Sequence, residues 1–225
     1  MEKERKEYPK PAVTVDIIIF TIKDNELKAL LIKRKLEPFS NMWAIPGGFV
    51  RLDESLENAA KRELMEETGV KEVYLEQLYT FGEPNRDPRE RVITVAYFAL
   101  INSDNLKLKP TTDVSDAKWF SVSDIPRLAF DHAGVLDYAL KRLRWKFEYT
   151  SIAFSLLPEK FTLPELQKTY EIVFNRNFDK RNFRKKIFSL NILNERGIMK
   201  EVPNRSPKLY SLKKKIPDII EIIHV

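Results

Sequence analysis

The segment formed by residues 47–70, GGFVRLDESLENAAKRELMEETGV, combines a helical apolar pattern with an unusual cluster of acidic residues. Residues 55–68 are predicted to form a helix, with Ser55 as its N-cap and Gly69 just beyond its last turn. At about 100° per residue, one face of this helix is apolar over its first half. The members of that face are Leu56, Ala59 and Ala60.

The same helix face continues into three glutamates, Glu63, Glu66 and Glu67. Like charges on a half-buried face repel one another and lose hydration, so they need a cationic partner. Arg62 can pair with Glu66 at i,i+4, but one guanidinium does not balance three carboxylates. A solvated Glu/Lys helix would explain the glutamates alone, whereas a hard divalent cation such as Mg²⁺ explains why they share a face.

The spacing of residues over the whole segment distinguishes a solvated helix from a metal site. From Gly48 to Val70 the chain matches Gly-x5-Glu-x7-Arg-Glu-U-x-Glu-Glu-x-Gly-U at every position, where U is aliphatic. A chance match to seven fixed letters is expected roughly once in 10⁸ windows at average residue frequencies. This pattern is the Nudix box, and residues 13–147 therefore resemble a Nudix hydrolase domain.

The resemblance implies an α/β/α sandwich, a Mg²⁺ or Mn²⁺ cofactor and cleavage of a nucleoside diphosphate linked to another group. It implies that Arg62 orients the glutamates and that Glu54 braces both Arg62 and the loop before the helix. A residue without Cβ, Gly47 or Gly48, would let the backbone approach metal and phosphate. The implied metal ligands are Glu63, Glu66, Glu67 and the backbone at Gly47; the implied catalytic set is Glu54, Arg62, Glu63, Glu66 and Glu67.

The general base stays open in the sequence, because Nudix enzymes take it from different loops. The candidates are Glu83, Glu90, Asp113 and Glu66.

Alternating and continuous apolar runs predict the rest of this unit. Strands are expected over residues 13–22, 27–34, 73–81, 91–101 and 117–122, and a second helix over 131–146. Residues 39–48 contain Pro46 and two glycines and are expected to be irregular. Strands mixed with two helices predict an α/β domain over residues 1–147.

The segment FGEPNRDPRERVITVAYFAL, residues 81–100, resembles the corresponding part of ADP-ribose pyrophosphatases and of Nudix-related regulators of NAD metabolism. Pro84 stands near the place where ADP-ribose enzymes carry a proline. Arg86, Arg89 and Arg91 are expected to reach a diphosphate with their forked donors. The alternative is a solvated, proline-rich loop before a strand.

Charge is distributed unevenly along the chain. The net charge is +6, and the last 75 residues carry 15 Lys and Arg against 8 Asp and Glu, so the excess lies in that third. Such asymmetry suggests a separate unit that faces an anionic partner such as nucleic acid. The alternative is a merely soluble basic surface.

A second domain is predicted over residues 148–225. Thr162 and Glu165 form a capping box before one helix, and Asp179 is expected to cap a basic helix over residues 179–190. Residues 197–212 are expected to form two short strands around a polar loop at 203–207. Helix, turn, basic helix and hairpin predict a winged helix-turn-helix. Its DNA-binding residues are expected to be Arg181, Arg184, Lys185 and, on the wing, Arg205.

Two domains in this order resemble Nudix-related transcription regulators, and many of those carry a degraded box. The intact box here favours catalysis, and the basic helix favours double-stranded DNA as a partner, because cations neutralise phosphates and a helix fits the major groove. The predicted function is hydrolysis of an ADP-ribose-like nucleoside diphosphate derivative by a protein that also binds DNA. The alternatives are a regulator that binds ADP-ribose or a sugar without significant turnover, an enzyme whose basic unit supports assembly only, and a basic hairpin packed on the first domain.

Other features limit the class of protein. The chain has no cysteine, which excludes disulfides and thiolate metal sites. It has no apolar run of about 18 residues and no apolar segment behind its charged N-terminus, so neither a membrane span nor a secretory signal is expected. We expect a cytoplasmic protein, and a homodimer, because regulators usually bind paired half-sites as two-fold dimers.

Overall fold

The computed structural model describes residues 9–69, 74–101, 114–198, 206–216, 219–220 and 222. Within this part of the chain, no helix has the length and apolarity needed to cross a bilayer. The predicted loop residue Asp113 and the predicted wing residue Arg205 lie outside the described residues.

A mixed sheet forms the centre of the first unit. Its strands are β1 (Ala12–Lys23), β2 (Glu26–Arg34), β3 (Trp43–Ala44), β4 (Gly47–Phe49), β5 (Tyr74–Phe81), β6 (Val92–Leu100) and β7 (Val114–Ser121). The main strand order is β3-β2-β1-β6-β5, with β4 also paired to β1 and β7 to β2. Strands β1 and β6 run parallel, with Val15 opposite Val95, and the other pairs are antiparallel.

Both faces of this sheet are buried because the side chains of β1 alternate between two apolar clusters. Ile17 and Ile19 pack on one side with α1 (Leu56–Thr68). Ile18 and Phe20 pack on the other side with α2 (His132–Tyr149). The predicted α/β/α sandwich is confirmed.

Helix α1 begins and ends as its sequence predicts. The Ser55 side chain accepts a hydrogen bond from the Asn58 backbone N–H. Gly69 has φ 76°, a left-handed conformation that glycine adopts without strain, and its N–H bonds to the Met65 carbonyl.

Two parts of the first unit differ from the prediction. The segment expected to be irregular contains the short strands β3 and β4, because its backbone pairs with β2 and β1. Strand β7 begins at Val114, earlier than residue 117, since its pairing with β2 continues as far as Arg34. Long-range backbone pairing extended both regions beyond what local patterns indicate.

Helix α2 runs three residues past its predicted end at Lys146, so the predicted junction at 147/148 falls in its last turn. A short 3₁₀ helix, Ser151–Leu156, follows. The second unit contains β8 (Phe161–Thr162), α3 (Leu163–Phe174), α4 (Lys180–Ser189), β9 (Leu193–Ile198) and β10 (Lys208–Leu212). Its sheet has the order β8-β10-β9, which gives the predicted winged helix-turn-helix arrangement.

The N-terminal caps of both helices in the second unit agree with prediction. Thr162 and Glu165 form a reciprocal capping box, and Asp179 accepts from the Asn182 N–H at 2.8 Å. The hairpin is longer than predicted, because β9 begins at Leu193 rather than at residue 197 and pairs there with Leu212. The polar, mostly exposed sequence of β9 carries no alternating apolar signal.

Candidate functional site

Arg62 ties the glycine-containing loop to helix α1. Its Nε donates to Glu54 Oε2 at 3.0 Å and its Nη2 to Glu54 Oε1 at 2.6 Å, while Nη2 also reaches the Phe49 carbonyl at 3.2 Å. A fourth hydrogen bond joins Nη1 to Glu63 Oε1 at 2.5 Å. The hydrogen bond from Arg62 is the largest influence that lowers the pKa of Glu54 to about 2, so this pair is ionised at neutral pH.

Glu63 and Glu67 are buried carboxylates on one turn of α1, with exposed fractions of 9% and 7%. Burial raises the pKa of Glu67 well above its usual value, and the charges of Glu63 and Asp16 raise it further. Burial also raises the pKa of Glu63, against the opposing effect of Arg62. Glu67 Oε2 has no hydrogen-bond partner among the described residues. Arg62 supplies a cation to Glu63, whereas Glu67 in its ionised form would need another one.

The two glycines before α1 leave room that a side chain would fill. A Cβ on Gly48 would lie 2.2 Å from Glu63 Oε1. A Cβ on Gly47 would lie 2.3 Å from the Val15 carbonyl and 2.8 Å from Asp16 Oδ1. The backbone here therefore approaches the buried carboxylates as only glycine permits.

The side chains around Glu67 offer oxygen donors to a divalent metal ion. Within the described ranges, no three His, Asp or Glu side chains already converge as a cation cage. Glu63 is turned to Arg62, and Glu66, whose side chain is 47% exposed, lies 3.4 Å from Arg62 and 3.8 Å from Arg51. All-oxygen donors and the unpartnered Glu67 Oε2 fit a hard divalent ion.

These carboxylates face a cavity of about 910 Å³, which is the size of a small-molecule site. Its lining includes Gly47, Glu63, Glu66 and Glu67 and, of the predicted substrate-binding residues, Arg86 and Arg89. Pro84 and Arg91, also predicted to bind substrate, are exposed and do not belong to this lining.

Arg86 is buried between two carboxylates and is not a free cation on the cavity wall. Its Nε and Nη2 donate to Asp131 at 3.0 and 2.8 Å, and its Nη2 also donates to Asp16 at 3.2 Å. Arg89 is more accessible, with a side chain 40% exposed, although it forms a two-point ion pair with Asp87. Of the two arginines, Arg89 has the more accessible side chain.

The cavity also contains residues that the sequence reasoning missed: Asp16, Arg34, Phe130 and His132. The Arg34 guanidinium lies 4.8 Å from the Phe130 ring centre, and Arg89 lies 5.7 Å from the same ring. His132 is buried, and its Nδ1 accepts a hydrogen bond from the Ile45 N–H. Burial lowers the pKa of His132, so its imidazole is neutral. Asp16 could have been found as a charge inside the apolar run of residues 13–22.

The candidate general bases are separated by the fold. Glu66 lines the cavity, whereas Glu83 and Glu90 are exposed and lie outside its lining. Asp113 is not among the described residues.

In the second unit, α4 separates apolar from basic side chains. Phe183 and Ile187 are buried, whereas Arg181, Arg184 and Lys185 are exposed. In the described ranges none of these three cations makes an ion pair. They form a basic face, Arg181, Arg184 and Lys185, that is open to an anionic partner.

Both units of the chain match known family models. Residues 10–139 match the NUDIX domain, and residues 153–212 match the NrtR DNA-binding winged helix domain. The chain is 38% identical over 211 residues to an ADPR responsive transcriptional repressor NtrR of Acinetobacter baylyi, covering 92% of this chain and 84% of that protein. It is 41% identical over 145 residues to an ADP-ribose pyrophosphatase of Methanocaldococcus jannaschii, covering 64% and 80%.

A solved structure extends the similarity to the whole arrangement. Shewanella oneidensis NrtR, crystallised with a 27mer DNA, superposes with a TM-score of 0.79 at 38% identity, covering 89% of this chain and 93% of that one. The protein thus belongs to the Nudix family and carries the C-terminal winged helix domain of NrtR proteins.

Proposed function

We propose that this protein is a metal-dependent Nudix hydrolase of an ADP-ribose-like nucleoside diphosphate derivative that also binds double-stranded DNA through its winged helix. The observation that carries the catalytic part is the pair of buried carboxylates, Glu63 and Glu67, beside a cavity large enough for a nucleotide. The intact Nudix box and the similarity to an ADP-ribose pyrophosphatase support hydrolysis.

Nudix hydrolases generally need a divalent metal, and we assign Mg²⁺ or Mn²⁺ to Glu63, Glu66, Glu67 and the backbone at Gly47. When bound, such an ion neutralises phosphate charge and activates water. Arg62 holds Glu63 and the preceding loop in position, and Glu54 fixes the orientation of Arg62. Glu66 is our candidate general base, because its carboxylate is half-exposed in the cavity.

An anionic substrate is favoured by the positive charge of Arg34 and Arg89, which line the cavity. Arg34 and Arg89 lie beside Phe130, and burial together with the charge of Arg89 lowers the pKa of Arg34. A diphosphate would relieve this crowding. It would accept hydrogen bonds from Arg89 at donors other than the Nε and Nη2 that bind Asp87. We assign Arg86 to positioning, since its Nε and Nη2 already donate to Asp131 and Asp16. Pro84 and Arg91 lie outside the cavity lining, and we keep them in the proposal as residues of the substrate loop.

The DNA part is supported by the basic face of α4. Arg181, Arg184 and Lys185 are exposed on a helix whose opposite side is packed in the core. Arg205 is assigned to the wing from its place in the sequence. The similar Shewanella oneidensis NrtR was crystallised with DNA, which supports the same partner here. A DNA-binding role also favours the cytoplasm over secretion.

A second candidate function is ligand-responsive regulation without significant turnover. One observation favours it: a similar protein, which covers most of this chain, is an ADPR responsive repressor. One hydrophobic cluster contains residues of both the sheet and the winged helix. Side-chain packing therefore connects the sheet beside the cavity to α4, which would let ligand binding affect that helix. A ligand shifts DNA affinity only if it favours one of two arrangements.

We also propose a homodimer joined through the Nudix unit. Strand β5 lies at one end of the sheet, and three aromatic side chains on β5 and α2 are well exposed. They are Tyr79, Trp145 and Tyr149, at 52%, 51% and 38%. A two-fold interface would bury the same surface on both copies. Sedimentation velocity should give a dimer for the wild type and a monomer for Trp145→Arg; a wild-type monomer would contradict the proposal.

The decisive experiment is a substrate panel with Mg²⁺, run beside a DNA-binding titration on the same preparation. We expect ADP-ribose to be cleaved faster than nucleoside triphosphates and to change the affinity for a selected duplex. A clear preference for a triphosphate would overturn the substrate assignment. DNA binding and an ADP-ribose response without turnover would favour the second function.

A further inference from the structure

Helix α4 carries one exposed aromatic side chain among its cations. Phe188 is 47% exposed. A single exposed apolar residue is ordinary on a protein surface, so its position must decide whether it has a role. At about 100° per residue, Phe188 falls within about 60° of Arg181, Arg184 and Lys185, on the face opposite the buried Phe183.

The ring of Phe188 is supported from below. It lies edge-on to Tyr210, with ring centroids 5.8 Å apart and an interplanar angle of 63°. Tyr210 is itself 7% exposed and is paired in β10 with Phe161 and Glu195 of the neighbouring strands. One side of Phe188 is therefore held by the wing sheet, and the rest of the ring is open.

Phe188 extends the basic face along the helix. The rise of about 1.5 Å per residue puts it about 10 Å along the helix axis from Arg181. Arginine and lysine on this face can reach phosphates or guanine, whereas a phenyl ring has no hydrogen bond to offer. The apolar feature that the major groove presents is the 5-methyl group of thymine.

We propose, on the basis of the DNA-binding role above, that Phe188 is a specificity-determining residue that recognises a thymine 5-methyl group in the major groove. Its contact adds sequence preference to a basic face whose phosphate contacts carry none. The support from Tyr210 reduces the loss of side-chain freedom on binding, since the ring is already held in the free protein.

Replacing single thymines by uracil tests this directly, because the change removes the methyl group and nothing else. The full-length protein is first used to select a tight-binding duplex from random sequence. Each thymine is then exchanged in turn. At one position per half-site, we expect wild-type affinity to fall about four-fold, the effect of removing one buried methyl group.

The same duplexes are then titrated with Phe188→Ala and Phe188→Leu. Phe188→Ala should bind the thymine and uracil duplexes equally, and Phe188→Leu should keep part of the discrimination. The control Arg184→Ala should keep full methyl discrimination. Titration at several salt concentrations should give Phe188→Ala the wild-type salt slope, because no charge is removed.

The outcomes separate the inference from the function on which it rests. Methyl discrimination that is equal in the wild type and both Phe188 variants overturns the inference while DNA binding stands. A wild type that selects no duplex overturns both. If Phe188→Ala does not fold, Phe188→Leu decides the result, since an undiminished methyl effect in that variant counts against the contact.

Discussion

Phe147 of α2 and Tyr170 of α3 meet edge-on, with ring centroids 5.2 Å apart, and both side chains are fully buried. This contact joins the helix that covers the Nudix sheet to the first helix of the winged-helix unit. Phe174 lies against the same Phe147 ring at 6.3 Å, and Arg144 donates from its Nε to the Val173 carbonyl. The two units therefore share one packed core at this point.

Replacing Phe147 by alanine should destabilise the whole protein. The change leaves a large cavity between α2 and α3, and such truncations cost about 3–5 kcal/mol. The measurement is denaturant unfolding of the full chain. Lys141→Ala, exposed on the same helix, is the control and should stay within about 0.5 kcal/mol of wild type. If Phe147→Ala lowers the free energy of unfolding no more than the control does, the shared core is contradicted.

Gly48→Ala should abolish most turnover without unfolding the protein. The added Cβ would lie 2.2 Å from Glu63 Oε1, so Glu63 or the loop must move. Displacement of a catalytic group by about 1 Å can cost about 100-fold in rate. The matched control is Gly134→Ala, whose Cβ would meet nothing within 4 Å. Equal kcat values in the two variants would refute the close approach of the Gly48 backbone to Glu63.

Glu66→Gln and Glu67→Gln should each lower Mg²⁺-dependent turnover by orders of magnitude, because a neutral amide lacks the negative charge with which a carboxylate binds a hard cation. Steady-state kinetics with ADP-ribose and a metal titration measure this. Glu57→Gln, an exposed change on the same helix, should keep normal turnover. Full activity in both test variants would remove the metal assignment.

The Glu54–Arg62 pair should give a pH-dependent contribution to stability. The pKa of Glu54 is lowered from 4.5 to about 2, chiefly by its hydrogen bond with Arg62. Because the pKa of Glu54 is lower in the folded than in the unfolded protein, the pair stabilises the fold at pH values above 4.5. This stabilisation is lost as the pH falls towards about 2. The stability difference between wild type and Glu54→Gln should therefore be constant above about pH 5 and shrink below it. A difference that does not change between pH 7 and pH 3 would be inconsistent with this pairing.

Replacing a cation on the basic face of α4 should change the salt dependence of DNA binding. If Arg184 contacts a phosphate, Arg184→Ala should weaken binding to all sequences and reduce the salt slope by about one. If Arg184 reads a guanine, Arg184→Ala should lose about 1–3 kcal/mol of binding free energy at one base pair. Fluorescence anisotropy at several salt concentrations measures both. Lys61→Ala on α1 is the control cation, and the same response from both variants would argue against a specific role for α4.

Local features of this protein were predictable from its sequence because they depend on neighbours along the chain. The caps at Ser55, Thr162 and Asp179 and the left-handed Gly69 need only the backbone a few residues away. The spacing of the Nudix carboxylates on one helix face has the same local origin, and so do the exposed cations of α4. These features were sufficient to indicate the two kinds of unit.

The tertiary structure decided which distant groups meet. Arg86 was predicted to bind substrate, and the fold also places it against Asp16 and Asp131, which lie 70 and 45 residues away. No local pattern encodes such a pairing, since burial of a cation depends on which carboxylates the sheet and α2 bring beside it. The strands β3 and β4 and the early start of β9 have a similar cause. Their backbones are held by pairing with strands elsewhere, and side-chain periodicity gives no signal for that.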